Sequence, residues 1–164
     1  MKKIYLAGPD VFKPESIQLG KEKKRVCLSQ GFEGLYPLDN EISAEGCSRQ
    51  ELAKKIYDAN VAMIDQADGV IANLDPFRGP SADCGTVWEC AYAKAKGIPV
   101  VGYSKKYSTP YIFRVIGQIP HDNMMVEDFG LYDNLMLVFG LKALVGDFHR
   151  ALAEMKEILN NEEA

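Results

Sequence analysis

The sequence predicts an α/β fold with a doubly wound parallel sheet, in a single domain over residues 1–164. Candidate strands and candidate helices alternate along the chain, which is the order that such a sheet requires. The segment 69–74 is continuously apolar, as strands are when helices cover both faces of the sheet. A length of 164 residues is enough for one substantial core, and no repeat, low-complexity tract or linker divides the sequence.

Glycines and a capping box mark the boundaries of the predicted elements. Gly8 ends the first strand, and Gly31 ends the first helix. Ser48, with Glu51 three residues later, forms a capping box that opens a long second helix. The segment 131–144 is compatible with either a helix or a strand. Strands are predicted at 3–7, 34–38, 69–74 and 99–103, and helices at 16–30, 48–67, 86–96 and 147–160.

Composition and charge narrow the classes of function. The net charge of -4 gives no general attraction to phosphates, so we expect no binding to a nucleic acid polymer, although a small nucleoside or nucleotide stays compatible. No apolar run reaches the ~18 residues that span a membrane, so no membrane partner is expected. The cysteines form no C-x-x-C pair, and neither they nor the acidic residues show a metal-ligand spacing. This favours reduced thiols in a cytoplasmic protein without a metal site.

The segment from 70 to 92 is the most informative part of the chain. It is typical of a buried parallel strand, then a loop rich in Gly, Pro and Asp, then a helix with a carboxylate in its second turn. In open α/β sheets the ligand crevice lies beyond the carboxyl ends of the strands, where this loop is found. The sequence therefore places Asp75, Asp83 and Glu89 around a pocket, which indicates covalent or acid–base chemistry.

Helical periodicity leaves two interpretations of Glu89. One arc of roughly 100° contains Trp88, Ala91, Tyr92 and Ala95, and it predicts the buried face of the helix. Glu89 falls about 60° beyond Tyr92, at the edge of that face. It is either a solvated helix glutamate or a partly desolvated carboxylate at the rim of a pocket, able to act as nucleophile or base.

Asp83 comes just before this helix, so helical periodicity does not place it. It could cap the helix, because the helix dipole favours an acidic residue near the N-terminus, or it could lean into the same crevice as Glu89. Two carboxylates in different environments can divide the work between an ionised nucleophile and a protonated donor. We expect Asp83 to serve as both a local stabiliser and a site residue.

Three loop residues are further candidates for ligand contacts. Gly8 and Gly85 allow the backbone to approach a ligand closely. Neither belongs to a G-x-G-x-x-G or Walker pattern, which disfavours dinucleotide and triphosphate folds. Arg78, between Phe77 and Gly79, is either a contact to a phosphate or a base, or a solvated loop arginine.

An ordered set of short segments carries a family resemblance. The segments are 5–9 (YLAGP) with 11–12 (VF), 37–41 (PLDNE), 67–74 (ADGVIANL), 76–79 (PFRG), 83–86 (DCGT) with Glu89, and 133–136 (DNLM). Together, over about residues 3–140, they resemble the nucleoside 2-deoxyribosyltransferase family. The resemblance implies a flavodoxin-like, five-stranded parallel sheet and a homo-oligomer whose sites are completed across subunits. It also implies nucleotide salvage without a cofactor, on 2′-deoxynucleosides and free nucleobases.

The resemblance assigns roles to three residues. In this family the glutamate of the G-T-x-x-E segment attacks C1′ of a 2′-deoxynucleoside, which implies that Glu89 is the nucleophile here. Asp83 would handle the proton on the departing and the incoming base, and Tyr5 would orient the glutamate. A second nucleobase then attacks the deoxyribosyl–enzyme ester, so that the sugar passes from one base to another.

The resemblance also implies a set of substrate contacts. Asn40 and Glu41 would lie near the base, and Asn134 with Met136 would reach the 5′-hydroxyl of a neighbouring subunit's substrate. Asn60 stands where well-known members have aspartate; it can still form hydrogen bonds but cannot transfer a proton. The full predicted substrate-binding set is Gly8, Phe12, Asn40, Glu41, Asn60, Asp75, Phe77, Arg78, Gly85, Asn134 and Met136.

Two other functions stay open at this point. A 2′-deoxynucleoside 5′-monophosphate N-glycosidase would hydrolyse the same bond with a similar glutamate. It needs a phosphate site, for which Thr86 and Arg78 are the only indications in the sequence. A non-catalytic nucleotide-binding module would need no carboxylate at position 89, and the presence of both Asp83 and Glu89 disfavours it.

Overall fold

Five parallel strands form one sheet in the computed structural model, which describes residues 1–116 and 124–161. The strands are β1 (Lys2–Ala7), β2 (Phe32–Leu35), β3 (Gly69–Asn73), β4 (Val100–Tyr103) and β5 (Ala143–Val145). Their order is β2-β1-β3-β4-β5, with every neighbouring pair parallel, which confirms the predicted doubly wound sheet. The winding direction reverses between β1 and β3, where an open sheet of this order forms a ligand crevice.

Helices connect the strands and cover the sheet. They are α1 (Ser16–Ser29), α2 (Arg49–Asp65), α3 (Cys84–Ala95), α4 (Tyr111–Ile116), α5 (Leu135–Val138) and α6 (Phe148–Asn161). The predicted capping box at the start of α2 is confirmed. Ser48 N–H donates to Glu51 Oε2 at 2.8 Å, and Glu51 N–H donates to Ser48 Oγ at 3.2 Å. Within the described ranges, no helix has the length and apolar character needed to cross a membrane.

The two faces of the sheet carry separate core clusters. Successive side chains of a strand point to opposite faces, so neighbours on β1 enter different clusters. Ile4 packs in the cluster that contains Met155 of α6. Tyr5 packs in the other cluster, with Ile64 of α2 and Cys90 of α3. This alternation directs the Tyr5 side chain toward α3, which follows the predicted site loop.

Two regions differ from the sequence predictions. The predicted bounds of the strand at 34–38 are wrong. β2 begins earlier, at Phe32, and ends at Leu35, and Pro37–Asp39 forms a 3-10 turn. Proline has no N–H to donate to a strand ladder, which explains the early end of β2. The ambiguous segment 131–144 contains both kinds of element, since α5 lies inside it and β5 begins at its end.

Candidate active site

The loop between β3 and α3 ends in a helix cap. Asp83 Oδ2 accepts hydrogen bonds from the backbone N–H and the hydroxyl of Thr86, each at 2.9 Å, so Asp83 caps α3 as expected. The helix therefore begins at Cys84, before the predicted start at position 86. Further back in the loop, Phe77 N–H donates to the Ser81 carbonyl at 3.0 Å and closes a turn. Hydrogen bonds thus fix a turn inside the loop and the end that leads into α3.

Glu89 of α3 and Tyr5 of β1 form a direct hydrogen bond. The Tyr5 phenol donates to Glu89 Oε1 at 2.7 Å, and Tyr5 is 0% exposed. The pKa of the Glu89 carboxyl is raised to about 7, mainly by burial. The hydrogen bond from Tyr5 lowers this pKa, and the charge of Asp83 raises it further. Burial, and then the Glu89 charge, raise the pKa of Tyr5, so its phenol keeps the proton that it donates.

The predicted buried face of α3 is wrong. That prediction rested on Trp88, Ala91, Tyr92 and Ala95. The residues that are buried are instead Thr86, Cys90 and Ala93, whose small side chains allow the helix to lie close to the sheet. Trp88 is 42% exposed and stacks on Tyr92, with ring centroids 5.2 Å apart. Glu89 lies about 40° from Ala93 around the helix, so it is still at the edge of the buried face.

A cleft of about 380 Å³ lies beside Glu89, between α2 and α3. Its lining residues are Tyr57, Asn60, Val61, Ile64, Gly85, Trp88 and Glu89. Asn60 and Gly85 belong to the predicted substrate-binding set, and Asn60 Oδ1 is buried without a hydrogen-bond partner among the described residues. Tyr57 was missed, although it precedes Asn60, Val61 and Ile64 at the helical spacing of one face.

The turn after β1 and the loop after β3 meet through aromatic rings. Phe12 and Phe77 stack with ring centroids 5.3 Å apart and an interplanar angle of 16°. The Arg78 guanidinium lies over both rings, 4.7 Å from the centroid of Phe77 and 5.5 Å from that of Phe12. Arg78 has a φ of 53°, in the left-handed region. The structure therefore brings these three predicted residues together, and it places the arginine on the rings.

Asp75, the third predicted carboxylate, is bonded to residues that follow β4 and not to Asp83 or Glu89. Its Oδ1 accepts hydrogen bonds from the Ser104 hydroxyl at 2.6 Å and from Lys105 N–H at 3.0 Å. These bonds tie the end of β3 to the segment that follows β4. The Asp83 charge, by contrast, contributes to the raised pKa of Glu89. Of the three predicted carboxylates, Asp83 therefore acts electrostatically on Glu89, whereas Asp75 is bonded to a neighbouring loop.

Comparison with known proteins identifies the family. The family model described as nucleoside 2-deoxyribosyltransferase matches residues 4–136. The chain belongs to this family. A solved 2-deoxyribosyltransferase from Leishmania mexicana is 33% identical, covers 96% of this chain and 98% of its own, and superposes with a TM-score of 0.80.

Two further proteins are similar to this chain. A 2-deoxyribosyltransferase from Bacillus psychrosaccharolyticus is 23% identical, with 88% of this chain and 86% of that chain covered and a TM-score of 0.59. An uncharacterized protein of Schizosaccharomyces pombe is 38% identical over 103 residues, which are 62% of this chain. The match spans about half, 49%, of the length of that yeast protein.

Two residues that the family resemblance places near the base lie before α2. Asn40 follows the 3-10 turn at Pro37–Asp39, and its Nδ2 donates to Met63 Sδ at 3.5 Å. Glu41 is exposed. Neither residue lines the cleft beside Glu89, so their role in a deoxyribosyltransferase site stays a prediction.

The residues that the family resemblance assigns to a neighbouring subunit lie on another surface. Asn134 caps α5 by accepting from Met136 N–H at 3.0 Å, and its Nδ2 donates to Glu127 at 2.7 Å. A groove of about 760 Å³ between α3 and α5 is lined by both residues and by Phe139. Met136 is 78% exposed and Phe139 is 71% exposed. We call this the α3–α5 groove; it lies apart from the cleft beside Glu89.

A buried charge that no sequence pattern indicated lies two residues before Phe12. Asp10 is 3% exposed, and it accepts from Lys23 at 2.5 Å, Lys13 at 2.7 Å and Asn73 at 2.9 Å. Burial alone would raise the pKa of Asp10, but the Lys23 charge and the hydrogen bonds from its three partners lower it to about 2. Lys13 is local, but Lys23 and Asn73 are 13 and 63 residues away from Asp10, so no local pattern marks the network. The network fixes the turn that carries Phe12.

Proposed function

We propose that the protein transfers the 2-deoxyribosyl group between nucleobases through a covalent ester on Glu89. The observation that carries this proposal is the 2.7 Å hydrogen bond from Tyr5 to Glu89, whose carboxyl lines the cleft between α2 and α3. A carboxyl with a pKa of about 7 is partly ionised at neutral pH, and desolvation makes its ionised form a better nucleophile. The Tyr5 phenol holds Oε1 in one direction and favours the ionised form.

The first half-reaction breaks the bond between C1′ and the base nitrogen. The electron pair of that bond leaves with the base, and Glu89 forms an ester bond to C1′. Positive charge develops on the sugar as the bond lengthens, and a carboxylate at this position stabilises it, as in retaining glycosidases. The missing 2′-hydroxyl helps, because an electron-withdrawing oxygen there would destabilise the cation.

Asp83 supplies the proton balance in this scheme. The backbone N–H and the hydroxyl of Thr86 both donate to Asp83 Oδ2, so we assign the other oxygen, Oδ1, to proton transfer. In its protonated form it donates to the departing base. As a carboxylate it then takes a proton from the incoming base, which attacks C1′ and releases Glu89. The two carboxyls therefore have different tasks in the proposed reaction.

Transfer requires that a second base reach the ester before water does. The cleft is walled by the apolar side chains of Val61, Ile64 and Trp88, which disfavour water next to the reacting bond. The two sequence indications of a 5′-phosphate site are engaged elsewhere. Thr86 is bonded to Asp83, and Arg78 lies on two phenyl rings. We therefore favour nucleosides over 5′-monophosphates as substrates.

The same proposal includes the oligomeric state of the protein and the cellular location of the reaction. Asn134 and Met136 border an exposed apolar groove, as expected of residues that complete a site in a second copy of the chain. We infer a homo-oligomer with shared sites that exchanges bases on 2′-deoxynucleosides, a cytoplasmic reaction of nucleotide salvage. No cofactor enters the scheme, and the part of the chain that the structure describes holds no cluster of potential metal ligands.

The test incubates the purified protein with deoxyinosine or thymidine, with and without free adenine, and follows products by chromatography. Deoxyadenosine that forms only with adenine supports transfer, whereas free base without a new nucleoside would assign a hydrolase. Glu89→Ala should abolish exchange, and Glu157→Ala, at an exposed position of α6, is the matched control. Intact mass spectrometry with donor alone should show a protein heavier by one deoxyribosyl group, and Glu89→Ala should lack it. Activity on 5′-monophosphates alone would overturn the nucleoside assignment.

A further inference from the structure

Arg114 of α4 is a buried arginine that does not line the cleft beside Glu89. It is 6% exposed. Its guanidinium makes a cation–π contact with Tyr132, and the guanidinium carbon lies 4.3 Å from the centroid of that ring. Its Nε donates to the Pro80 carbonyl at 2.7 Å, and Nη1 donates to the Thr109 carbonyl at 2.9 Å. Nη2 donates to the Tyr132 carbonyl. One planar group therefore joins three chain segments that are far apart in sequence.

Asp133 extends this arrangement to the loop before α3. Its Oδ2 lies 3.3 Å from Arg114 Nη2 and accepts from Ala82 N–H at 3.0 Å, and the side chains of the ion pair are 5% and 2% exposed. Its Oδ1 accepts from Asn134 N–H at 2.8 Å. A single carboxylate thus holds the residue before Asp83 with one oxygen and the cap of α5 with the other.

The opposite end of the same loop is held by Tyr132. Its hydroxyl donates to the Leu74 carbonyl at the end of β3 and contacts the Ser104 hydroxyl at 2.9 Å. Leu74 and Ala82 bracket the loop that leads into Asp83. The contacts of Arg114, Tyr132 and Asp133 therefore fix both ends of that loop, and none of these three residues lines the cleft.

We propose that Arg114 is a positioning residue, which acts through Asp133 and Ala82 to hold Asp83 at a fixed place relative to Glu89. The inference rests on the proposed function, because it needs Asp83 to transfer a proton. Arg114 touches neither carboxyl of the proposed site, so it is not a catalytic residue. Lysine cannot replace it, since an ammonium group lacks the planar fork that reaches the Pro80 carbonyl and Asp133 together.

A double-mutant cycle with Arg114→Lys and Asp83→Asn tests this role. In the wild-type background we expect Arg114→Lys to lower kcat for exchange by roughly ten- to hundredfold, because misplacement of a reacting group by about 1 Å has effects of this size. In the Asp83→Asn background the same change should lower kcat less than about threefold, since the group that it positions is already gone. Equal effects in both backgrounds would overturn the inference.

The fraction of folded protein and the concentration of active sites must be measured separately, so that a lower rate is not mistaken for a loss of either. Circular dichroism confirms folding at the assay temperature, and the amount of covalent adduct formed with donor alone gives the concentration of competent sites, so kcat is expressed per site. Arg150→Lys is the matched control, because Arg150 is paired with Asp147 on the surface with 70% of its side chain exposed. It should leave kcat unchanged in both backgrounds.

A second variant and the wild-type protein separate the possible failures. Asp133→Asn should repeat the non-additive effect with Asp83→Asn, since it weakens the same connection. If both Arg114→Lys and Asp133→Asn fail to fold, or both fold and keep normal kcat, the positioning role is wrong. If wild-type protein forms no exchange product and no adduct, the proposed function itself fails, and the inference fails with it.

Discussion

Tyr5 and Glu89 join the sheet to the helix that follows its crevice through one hydrogen bond of 2.7 Å. The phenol belongs to the fourth residue of β1 and enters the core cluster on the α3 side of the sheet, where it is fully buried. Because the ring cannot move without disturbing that core, it fixes the direction of the Glu89 carboxyl. The same contact opposes the effect of burial on the Glu89 pKa.

Tyr5→Phe should shift the pH dependence of exchange. The variant removes the one hydrogen bond that lowers the Glu89 pKa, so the acid limb of kcat/KM should move upward from about 7 by roughly one unit. The measurement is kcat/KM for the donor against pH. Tyr107→Phe, at a residue that is 41% exposed, is the control and should leave the limb in place. An unmoved limb in Tyr5→Phe would show that the phenol does not tune Glu89.

Glu89→Gln should stabilise the fold at neutral and higher pH. The folded-state pKa of about 7 lies above the ordinary 4.5, so the native state keeps a proton that the unfolded chain releases. The wild-type free energy of unfolding therefore falls as pH rises between these values, by about 1–3 kcal/mol. Glutamine does not titrate, so its variant should lack this fall. Urea unfolding of both proteins across this pH range gives the comparison, and parallel curves would contradict the raised pKa.

Lys23→Met should be strongly destabilising. It leaves Asp10 buried without the lysine 2.5 Å away, and breaking a buried ion pair costs about 3–5 kcal/mol. The lowered pKa of Asp10 means that its contribution is present above about pH 4 and is lost as pH falls toward 2. The deficit of the variant, measured by urea unfolding, should therefore shrink in acid.

The control for that experiment is a surface pair of similar length. Lys54 and Asp58 lie 2.6 Å apart, but their side chains are 68% and 55% exposed. Lys54→Met should change the free energy of unfolding by less than about 1 kcal/mol, because water screens exposed pairs. A loss in Lys23→Met no larger than that in Lys54→Met would show that burial does not strengthen the Asp10 pair.

Gly8→Ala should damage the site more than a change at another left-handed glycine. Gly8 has a φ of +145°, and an added methyl carbon would lie 2.7 Å from Asn73 Cβ. Gly46 has a φ of +70° but nothing within 4 Å of the added carbon. We expect Gly46→Ala to cost about 1–2 kcal/mol in stability, and Gly8→Ala more, with a raised KM because the Phe12 turn follows Gly8. Thermal unfolding and donor KM are the measurements, and equal losses would remove the argument from close packing.

The sheet could be predicted because its signals are local. Each of the four predicted strands is a short, largely apolar run ended by glycine, proline or a polar residue, and these runs alternate with helical periodicity. β5 falls partly in the segment 131–144, which stayed ambiguous between helix and strand. β2 was misplaced because its apolar run continues to Leu38, while the ladder stops before Pro37. The strand, loop and helix that carry Asp83 and Glu89 were predicted for the same local reason, since a clear strand and a clear helix flank the loop.

The rest of the site depends on contacts that no local pattern records. On α3, helical periodicity favoured Trp88 for the core, but close packing against the sheet selected Cys90 and Ala93. Arg114 could not be identified either, because its partners include the backbone carbonyls of Pro80 and Thr109, which every residue type offers. A sequence pattern shows which side chains are present, whereas these assignments depend on which backbone segments meet.

Trp88 gives the protein a built-in optical signal. It is the single tryptophan of the chain, and it lines the cleft together with Glu89. Its indole is 42% exposed and already stacked on Tyr92, so a nucleobase that enters the cleft would change its solvent contact and its emission. The intrinsic fluorescence of this protein therefore reports occupancy of one place, with no label and no background from other tryptophans.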